Sequence, residues 1–426
     1  MKKVGVAILG LGVVGSGTYN IIKEKHEYFQ KTQGLDVTVE AVLEIDKKKA
    51  LALGVDESVI CSNINEVVSN PAVDIVCEVI GGTGVAKEFV IAALKSGKSV
   101  VTSNKELYCK HSHELESIAK KMNVGLYFEA SCVGGVPVIK TFIDSMQANY
   151  VKSITGIING TTNYILSKMA DEGLSYETAL KDAQKLGYAE ANPTADVEGY
   201  DAAYKLSILS SLAFHKKIPL EKIYREGITK ITKEDIAYGR EFGYAVKLLG
   251  IGKNSEKGVE VRVHPAFIKN NHPLASVKDS FNAVHIVGDN VGDIMLYGRG
   301  AGSLPTGSAI VSDVIYAARR SENIYSSFEN TKNASKDVKF INDFVSGYYV
   351  RLTAADKAGV LAKIAGIFAK YNVSITDMIQ KSSGAESVPL IFFTHKTNEF
   401  SINKAIERIK NLSEVVKVES IIRVEN

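Results

Sequence analysis

The feature that most constrains this chain is a glycine pattern close to its start. Gly10-Leu11-Gly12-Val13-Val14-Gly15 follows the apolar run Val4 to Leu9 and opens an amphipathic stretch from Gly15 to about Phe29. A strand that turns straight into a helix needs backbone without side-chain clashes, and the new helix N-terminus offers free N–H groups and a positive dipole end to an anion. The same alternation continues downstream. Val37 to Leu43, Ala72 to Ile80 and Ser99 to Thr102 read as buried strands, and about Ala86 to Lys95 as a helix stopped by Gly97. Short apolar runs alternating with amphipathic stretches specify βαβ units and a parallel sheet. Residues 1–135 are therefore expected to be a doubly wound half whose loop of Gly10, Gly12, Val13, Val14 and Gly15 cradles a dinucleotide pyrophosphate.

Two further positions follow from that topology. At the end of the second strand, Glu44 would accept a hydrogen bond from a ribose hydroxyl and repel a 2′-phosphate, while Lys47, Lys48 and Lys49 pull the other way. The balance leans to NAD over NADP, with a solvated helix start as the other explanation of the lysines. Val101-Thr102-Ser103-Asn104-Lys105 places a lysine just past the carboxyl end of a strand, the edge where open parallel sheets bind ligands.

Composition narrows the class. In 426 residues, 45% hydrophobic and 23% charged side chains exclude wholesale disorder and fibrous structure. Lys+Arg exceed Asp+Glu only by 51 to 48, so no basic footprint points to nucleic acid or an anionic membrane. Cys61, Cys77, Cys109 and Cys132 have neither disulfide-scaffold density nor zinc spacing. Met1-Lys2-Lys3 before Val4 to Val14 imitates a leader, but Gly5, Gly10 and Gly12 interrupt it, and no run reaches the ~18 apolar residues of a membrane span. A soluble, cytoplasmic protein is expected.

The rest of the chain divides by pattern. Residues 136–300 read as an α+β domain with an open mixed sheet, with strands at Ser153 to Ile158, Val259 to Val263 and Val284 to Val287. Its helices are expected at Thr162 to Asp171, Ser175 to Leu186 and Ala202 to Phe214. A Ser-, Asn- and Lys-rich stretch from about Arg320 to Asp343 suggests a linker, bounded as 326–346, before a C-terminal unit at 347–426. There Tyr348 to Leu352, Ser374 to Gln380, Val388 to Thr394 and Val415 to Val424 read as strands. Val360, Leu361, Ile364, Ile367 and Phe368 make one helical apolar stripe, and Ile402 to Lys410 a second helix. This βαββαβ order gives a ferredoxin-like antiparallel sheet with two helices on one face.

The densest chemistry lies in Gly187 to Lys205, where Glu190, Asp196, Glu198 and Asp201 precede an apolar helix that carries Lys205 in its first turns. A helix starting near Tyr200 sets Asp201 and Lys205 at i, i+4 on one face. On composition alone, acids at a helix N-terminus plus an exposed ion pair of ~0.3–0.5 kcal/mol explain this as well as a site does.

The segment Ala183 to Lys205, with Ala183, Gly187, Tyr188, Asn192-Pro193, Asp196-Val197, Gly199, Asp201 and Lys205 in register, resembles the signature of the homoserine dehydrogenases. The glycine loop, Glu78 to Gly82, Thr102 to Lys105, Glu129-Ala130-Ser131, Gly156 to Leu166 and Gly298 to Ala309 agree in order, so the resemblance covers about residues 1–320. It implies a Rossmann-type first domain completed by residues of about 300–325, and a catalytic and dimerisation domain at 136–300. Val85 departs from a common proline, and Leu43 occupies the place of an arginine that often receives a 2′-phosphate, which agrees with Glu44. Asp356-Lys357-Ala358-Gly359-Val360-Leu361 resembles the first strand-to-helix turn of an ACT module, so Asp356, Gly359, Val360 and Leu361 would bind an amino-acid effector such as threonine.

From the family, the expected activity is hydride transfer between L-homoserine and L-aspartate 4-semialdehyde with NAD or NADP, in threonine and methionine biosynthesis. The hydroxyl proton must leave with the hydride, so an acid/base group has to sit within hydrogen-bond reach of that oxygen. A lysine suits only if burial or a neighbouring positive ring lowers its pKa. The resemblance assigns this role to Lys205, with Lys105 sharing the proton and Asp196 orienting Lys205. Glu190 and Asp201 would bind the substrate ammonium, and Asn159, Gly160 and Thr161 its carboxylate. Gly81, Thr102, Ser103, Lys105 and Gly302 would line the cofactor beside the glycine loop and Glu44. Glu129, Cys132, Gly134 and Val136 would ligate a monovalent cation such as Na+, mostly through carbonyls. A homodimer or tetramer is implied. The alternatives are a dehydrogenase of another small amino alcohol and an inactive amino-acid-sensing module. The histidines, including His111 and His113, which do not share a helix face, carry no site.

Overall fold

The computed structural model describes residues 1–323, 325, 338–381 and 386–425. The chain divides into two units, the first comprising Met1–Gly160, Asp201–Ile223 and Phe281–Val338, the second Thr161–Tyr200, Tyr224–Ser280 and Lys339–Asn426.

In the first unit six strands form a parallel sheet: β1 (Lys2–Leu9), β2 (Leu35–Leu43), β3 (Ile60–Cys61), β4 (Ile75–Glu78), β5 (Ser99–Thr102) and β6 (Leu126–Tyr127). Their order β3-β2-β1-β4-β5-β6 is the doubly wound one, with successive strands added outward in opposite directions from the switch point between β1 and β4. The sheet lies buried on both faces, so β1 reads as a continuous apolar run instead of alternating.

Helix α1 (Val13–Glu24) starts at the glycine loop and ends at Lys25, where a second helix, His26–Gln33, begins. The single helix expected to Phe29 is thus two. Helix α2 (Lys105–Met122) follows β5, capped by the Asn104 side chain accepting from the Leu107 N–H. Helix α3 (Tyr200–Phe214) is buried almost throughout, and α4 (Ser303–Arg319) packs along α1. The α1–α4 approach requires glycine on both sides. A Cβ on Gly17 would stand 2.3 Å from the Ser303 carbonyl oxygen, and one on Gly307 2.9 Å from the Gly17 backbone. Ile310, Val311 and Val314 of α4 thereby join Val6, Ile8 and Ile22 in one core. The unit also holds an antiparallel ladder of Val151–Ile157, Phe281–Gly288 and Gly292–Arg299.

In the second unit Tyr244–Ser255 and Gly258–Lys269 form a long hairpin through Glu256-Lys257. Gly258–Lys269 runs parallel to Val415–Glu425, which pairs in turn with Val345–Ala355, then Ser387–Thr394, then Ile375–Gln380. The sheet is mixed, and its C-terminal part is the expected βαββαβ module. Tyr348, Val350 and Leu352 pack against Ile364 and Phe368 of one helix and Ile402 and Ile406 of the other. The alternate residues are covered too. Phe393 stacks on Tyr244, Tyr349 meets Phe267 and Phe393 edge to face, and Arg351 pairs with Asp235 of the Lys233–Glu241 helix at 2.7 Å. Sequence patterning assigns nothing between Phe214 and Val259, so this covering layer was not anticipated. Most of the expected 326–346 linker, residues 326–337, lies outside the described residues. Among the described residues no helix is long and apolar enough to cross a membrane.

Candidate active site

The glycine loop has the geometry its sequence predicts. Gly10 sits at φ +92° and donates its N–H to the Leu43 carbonyl at 2.8 Å. A Cβ on Gly15 would meet the Gly10 carbonyl oxygen at 1.9 Å, whereas nothing lies within 4 Å of the position a Cβ on Gly12 would take. The turn is therefore tight on its inner side and open on the outer one, where Gly12 caps α1 with no side chain on the free N–H groups. That is the cradle a pyrophosphate needs, so the residues present fit a dinucleotide. Val13 is exposed, Val14 half-buried.

Glu44 directly follows β2 and reaches back to this loop, its carboxylate accepting the Leu11 N–H at 2.7 Å and the Asp46 N–H at 3.1 Å. The neighbouring lysines divide. Lys47 pairs with Glu57 at 2.7 Å, and Lys48 and Lys49 give their backbone N–H groups to the Asp46 carboxylate as a helix cap. Across the switch point, the fully buried Glu78 ties two strand ends together. It accepts from Ile80 and Gly81 N–H at 2.9 and 3.1 Å and from Thr102 Oγ1 at 2.7 Å, and Thr102 Oγ1 accepts from Asn104 N–H at 2.9 Å. Ser103 N–H points to the Glu78 carbonyl at 3.4 Å. Glu78 belonged to a recognised motif, yet its buried clamp across two strands could not be read from one strand alone. Gly302, at φ +124°, caps α4 near the Gly17 crossing. Exposed Ile45 and Ile80, which follow the carboxyl ends of β2 and β4, were not singled out by sequence.

The lysines meet on one carboxylate. Asp201 and Lys205 occupy the first turns of α3, with Lys205 Nζ 2.7 Å from Asp201 Oδ2. Lys105, the first residue of α2, brings Nζ to 3.2 Å from Asp201 Oδ1. Asn159 Nδ2 donates to Asp201 Oδ2 at 2.8 Å, and Lys205 Nζ donates to the Ile158 carbonyl at 2.9 Å. The pair is buried, not the exposed ion pair that composition alone allowed, with Asp201 8% and Lys205 9% accessible. Burial works against the Asp201 charge, but the ammonium groups of Lys205 and Lys105 and the hydrogen bonds more than offset it and hold the carboxyl well below the usual range. Asp201 thus has a lysine on each oxygen.

Glu190, Asp196 and Thr161 lie in the second unit. Thr161 Oγ1 donates to the Tyr188 carbonyl at 2.6 Å, the Glu190 carboxylate is exposed, and Asp196 lies in the short Thr194–Val197 helix. Gly160 begins the helix that runs to Glu172, directly after Ile158 and Asn159.

The expected cation loop is occupied by its own hydrogen bonds. Glu129 is buried, and its two oxygens accept the N–H groups of Ile139 and Lys140 at 2.9 and 2.7 Å. Burial, and then the Asp313 charge, push its carboxyl up to about 7. The Val136 carbonyl accepts from Val138 N–H at 2.8 Å, and Val133 and Gly134 are both left-handed. The Cys132 thiol, pushed up to about 12 by burial, donates to the Lys205 carbonyl at 3.9 Å. Among the described residues no group of three or more His, Cys, Asp or Glu side chains could hold a metal ion. In the C-terminal module Gly359, at φ +88°, caps the Val360–Lys370 helix. Asp356 accepts from Gln380 Nε2 at 3.0 Å, Val360 is buried and Leu361 half-buried.

Comparison with known proteins finds relatives along the whole chain. Residues 10–129 match the model of the homoserine dehydrogenase NAD-binding domain, 137–315 that of homoserine dehydrogenase, and 348–414 that of the ACT domain. Homoserine dehydrogenase of Neisseria gonorrhoeae is 40% identical over 433 residues, covering 100% of this chain and 99% of that protein. That of Bacillus subtilis is 38% identical over 429 residues, with 100% and 99% coverage. The crystal structure of a homoserine dehydrogenase from Thiobacillus denitrificans superposes with a TM-score of 0.92 at 40% identity, covering 100% of this chain and 99% of that one. A hyperthermophilic archaeal homoserine dehydrogenase in complex with NADPH superposes at 0.64 with 29% identity, covering 74% of this chain and 97% of that one. A glycine cradle at a parallel-sheet switch point, two lysines on one buried aspartate and full-length matches of this kind lead to one conclusion: the chain belongs to the homoserine dehydrogenase family.

Proposed function

We propose that the protein interconverts L-homoserine and L-aspartate 4-semialdehyde through the Lys205–Asp201–Lys105 cluster. The observation that carries the reading is the convergence of two amines on one buried carboxylate, in the same unit as the glycine cradle. A bound nicotinamide dinucleotide supplies the hydride acceptor or donor. Lys205 acts as the free amine when it takes the hydroxyl proton during alcohol oxidation, and as the ammonium paired with Asp201 when it returns that proton in the reverse direction, with Lys105 at the same oxygen. Asp201 holds both amines in place and, with Glu190, would bind the substrate ammonium, while Asp196 would orient Lys205. The loop of Asn159, Gly160 and Thr161 takes the substrate carboxylate on its N–H donors. Gly10, Gly12, Val13, Val14, Gly15, Gly81, Thr102, Ser103 and Gly302 would line the cofactor. No step in this scheme runs through a cation at Glu129.

NAD is the preferred cofactor in this reading. The Glu44 carboxylate is held at the loop by the Leu11 N–H, where a 2′-phosphate would meet its charge. The Asp356 to Leu361 turn would take threonine as a feedback effector, as the ACT match suggests.

Reduced-nicotinamide absorbance with homoserine tests this, using NAD and NADP in turn, with and without threonine. Homoserine-dependent reduction is expected, faster with NAD at equal concentration and slowed by threonine. Absence of reduction with both cofactors would refute the reading. The Glu44→Gln variant is expected to move the NADP/NAD ratio of kcat/KM about tenfold toward NADP, and an unchanged ratio would remove Glu44 from cofactor choice.

A further inference from the structure

The second unit contains a buried lysine that the scheme above does not use. Lys247 stands mid-strand in Tyr244–Ser255, only 4% accessible, among buried Val246, Leu248 and Leu249. Burying an ammonium costs several kcal/mol unless its hydrogens are used, and a core strand position would ordinarily take an aliphatic residue. Its Nζ donates to Asn163 Oδ1 at 3.1 Å and to the Val277 carbonyl. Asn163 in turn donates through Nδ2 to the Val277 and Asp279 carbonyls at 3.2 and 2.9 Å. One turn further, Ser167 Oγ accepts from the Asp279 N–H at 3.2 Å. The ammonium therefore holds the oxygen end of the Asn163 amide and shares the Val277 carbonyl with its nitrogen end, and Asn163 sits in the first turn of the Gly160–Glu172 helix.

We infer that Lys247 is a substrate-positioning residue: it fixes the first turn of the Gly160–Glu172 helix, and with it the N–H donors that receive the substrate's carboxylate. Both hydrogen-bond partners of its Nζ are neutral oxygens. Its charge is thus not spent in a contact ion pair and reinforces the positive end of that helix. Burial draws its pKa down to about 8, against the more distant Asp171 and Asp279 and with Lys278. The inference rests on the homoserine reading above, and it extends that reading to how the carboxylate is selected.

The test uses full-length Lys247→Gln, which keeps a hydrogen-bond donor without the charge, and Lys247→Met. Homoserine is compared with 3-aminopropan-1-ol, which has the same hydroxyl and ammonium but no carboxylate. In the variants the homoserine KM should rise about tenfold while kcat and the NAD KM stay within about threefold. The preference for homoserine over 3-aminopropan-1-ol should shrink by about the same factor, Lys247→Met more than Lys247→Gln. Folded variants with wild-type homoserine KM and wild-type preference would overturn the inference, because a purely structural lysine lowers stability without changing which substrate is chosen. Failure of the underlying reading looks different: the wild type would then not oxidise homoserine at all.

Discussion

Lys205→Ala is expected to lower homoserine turnover by about 10³-fold while NADH binding, followed by reduced-nicotinamide fluorescence, stays near the wild-type level. The size follows from the chemistry. Positioned proton transfer contributes about 10²–10⁴-fold, and an alcohol cannot release hydride while it keeps its proton. The specificity of the effect follows from geometry, because the Lys205 amine donates to Asp201 and to the Ile158 carbonyl and not to the glycine loop. The substitution also leaves Asp201 buried with Lys105 and Asn159 as its remaining polar partners. Lys205→Met, which conserves the volume, should therefore be measured beside it, with thermal unfolding as the control for folding. Asp201→Asn keeps the shape but removes the charge that holds both amines, and should fall between wild type and Lys205→Ala. Normal kcat in a folded Lys205→Ala enzyme would end the assignment.

The second large effect concerns stability. Arg262 is fully buried in the Gly258–Lys269 strand, with its guanidinium 2.7 Å from Glu260, 2.7 Å from His264 Nε2 and bidentate on Glu425 of the last strand. Arg262→Leu would leave two carboxylates in a dry interior without their main counter-charge, and loss of one partner from a buried ion pair costs about 3–5 kcal/mol. A lowered unfolding midpoint and faster proteolysis between Lys269 and the C-terminal module are the expected readings. The pH dependence has a definite sign. Burial alone would raise the Glu425 carboxyl, but Arg262 outweighs it and holds the group below its ordinary value of 4.5. Its contribution is then complete above about pH 4.5 and is lost as pH falls through the lower, folded-state value. The wild type should lose stability in that acidic window, and the gap between wild type and variant should narrow there. A gap that stays constant from neutral pH to pH 3 would contradict the account.

The pattern of what was readable has a physical basis. The glycine turn, the Ser99–Thr102 strand and the stripe of the Val360–Lys370 helix depend on neighbours in sequence, and all were placed from it. The Tyr244–Ser255 strand escaped because burial on both faces erases the period-two alternation that marks a strand. The Lys233–Glu241 helix did carry a usable signal, the capping box of Thr232 and Asp235, but in a segment too polar to show an apolar stripe. Asp201 and Lys205 were legible as an i, i+4 pair. Their burial was not, and neither was the third partner, Lys105.

Short-range spacing encodes the nucleotide-binding turn, the family and the identity of the ionisable residues, and each could be read along the chain. That Asp201 is shared by two lysines, that Glu129 is hydrogen-bonded, and that Arg262 and Lys247 are buried emerges in three dimensions alone. Charge and hydrogen-bond partnership are properties of atoms a few ångströms apart in space, and the chain separating Lys105 from Asp201 or Arg262 from Glu425 carries no local mark of where it will return.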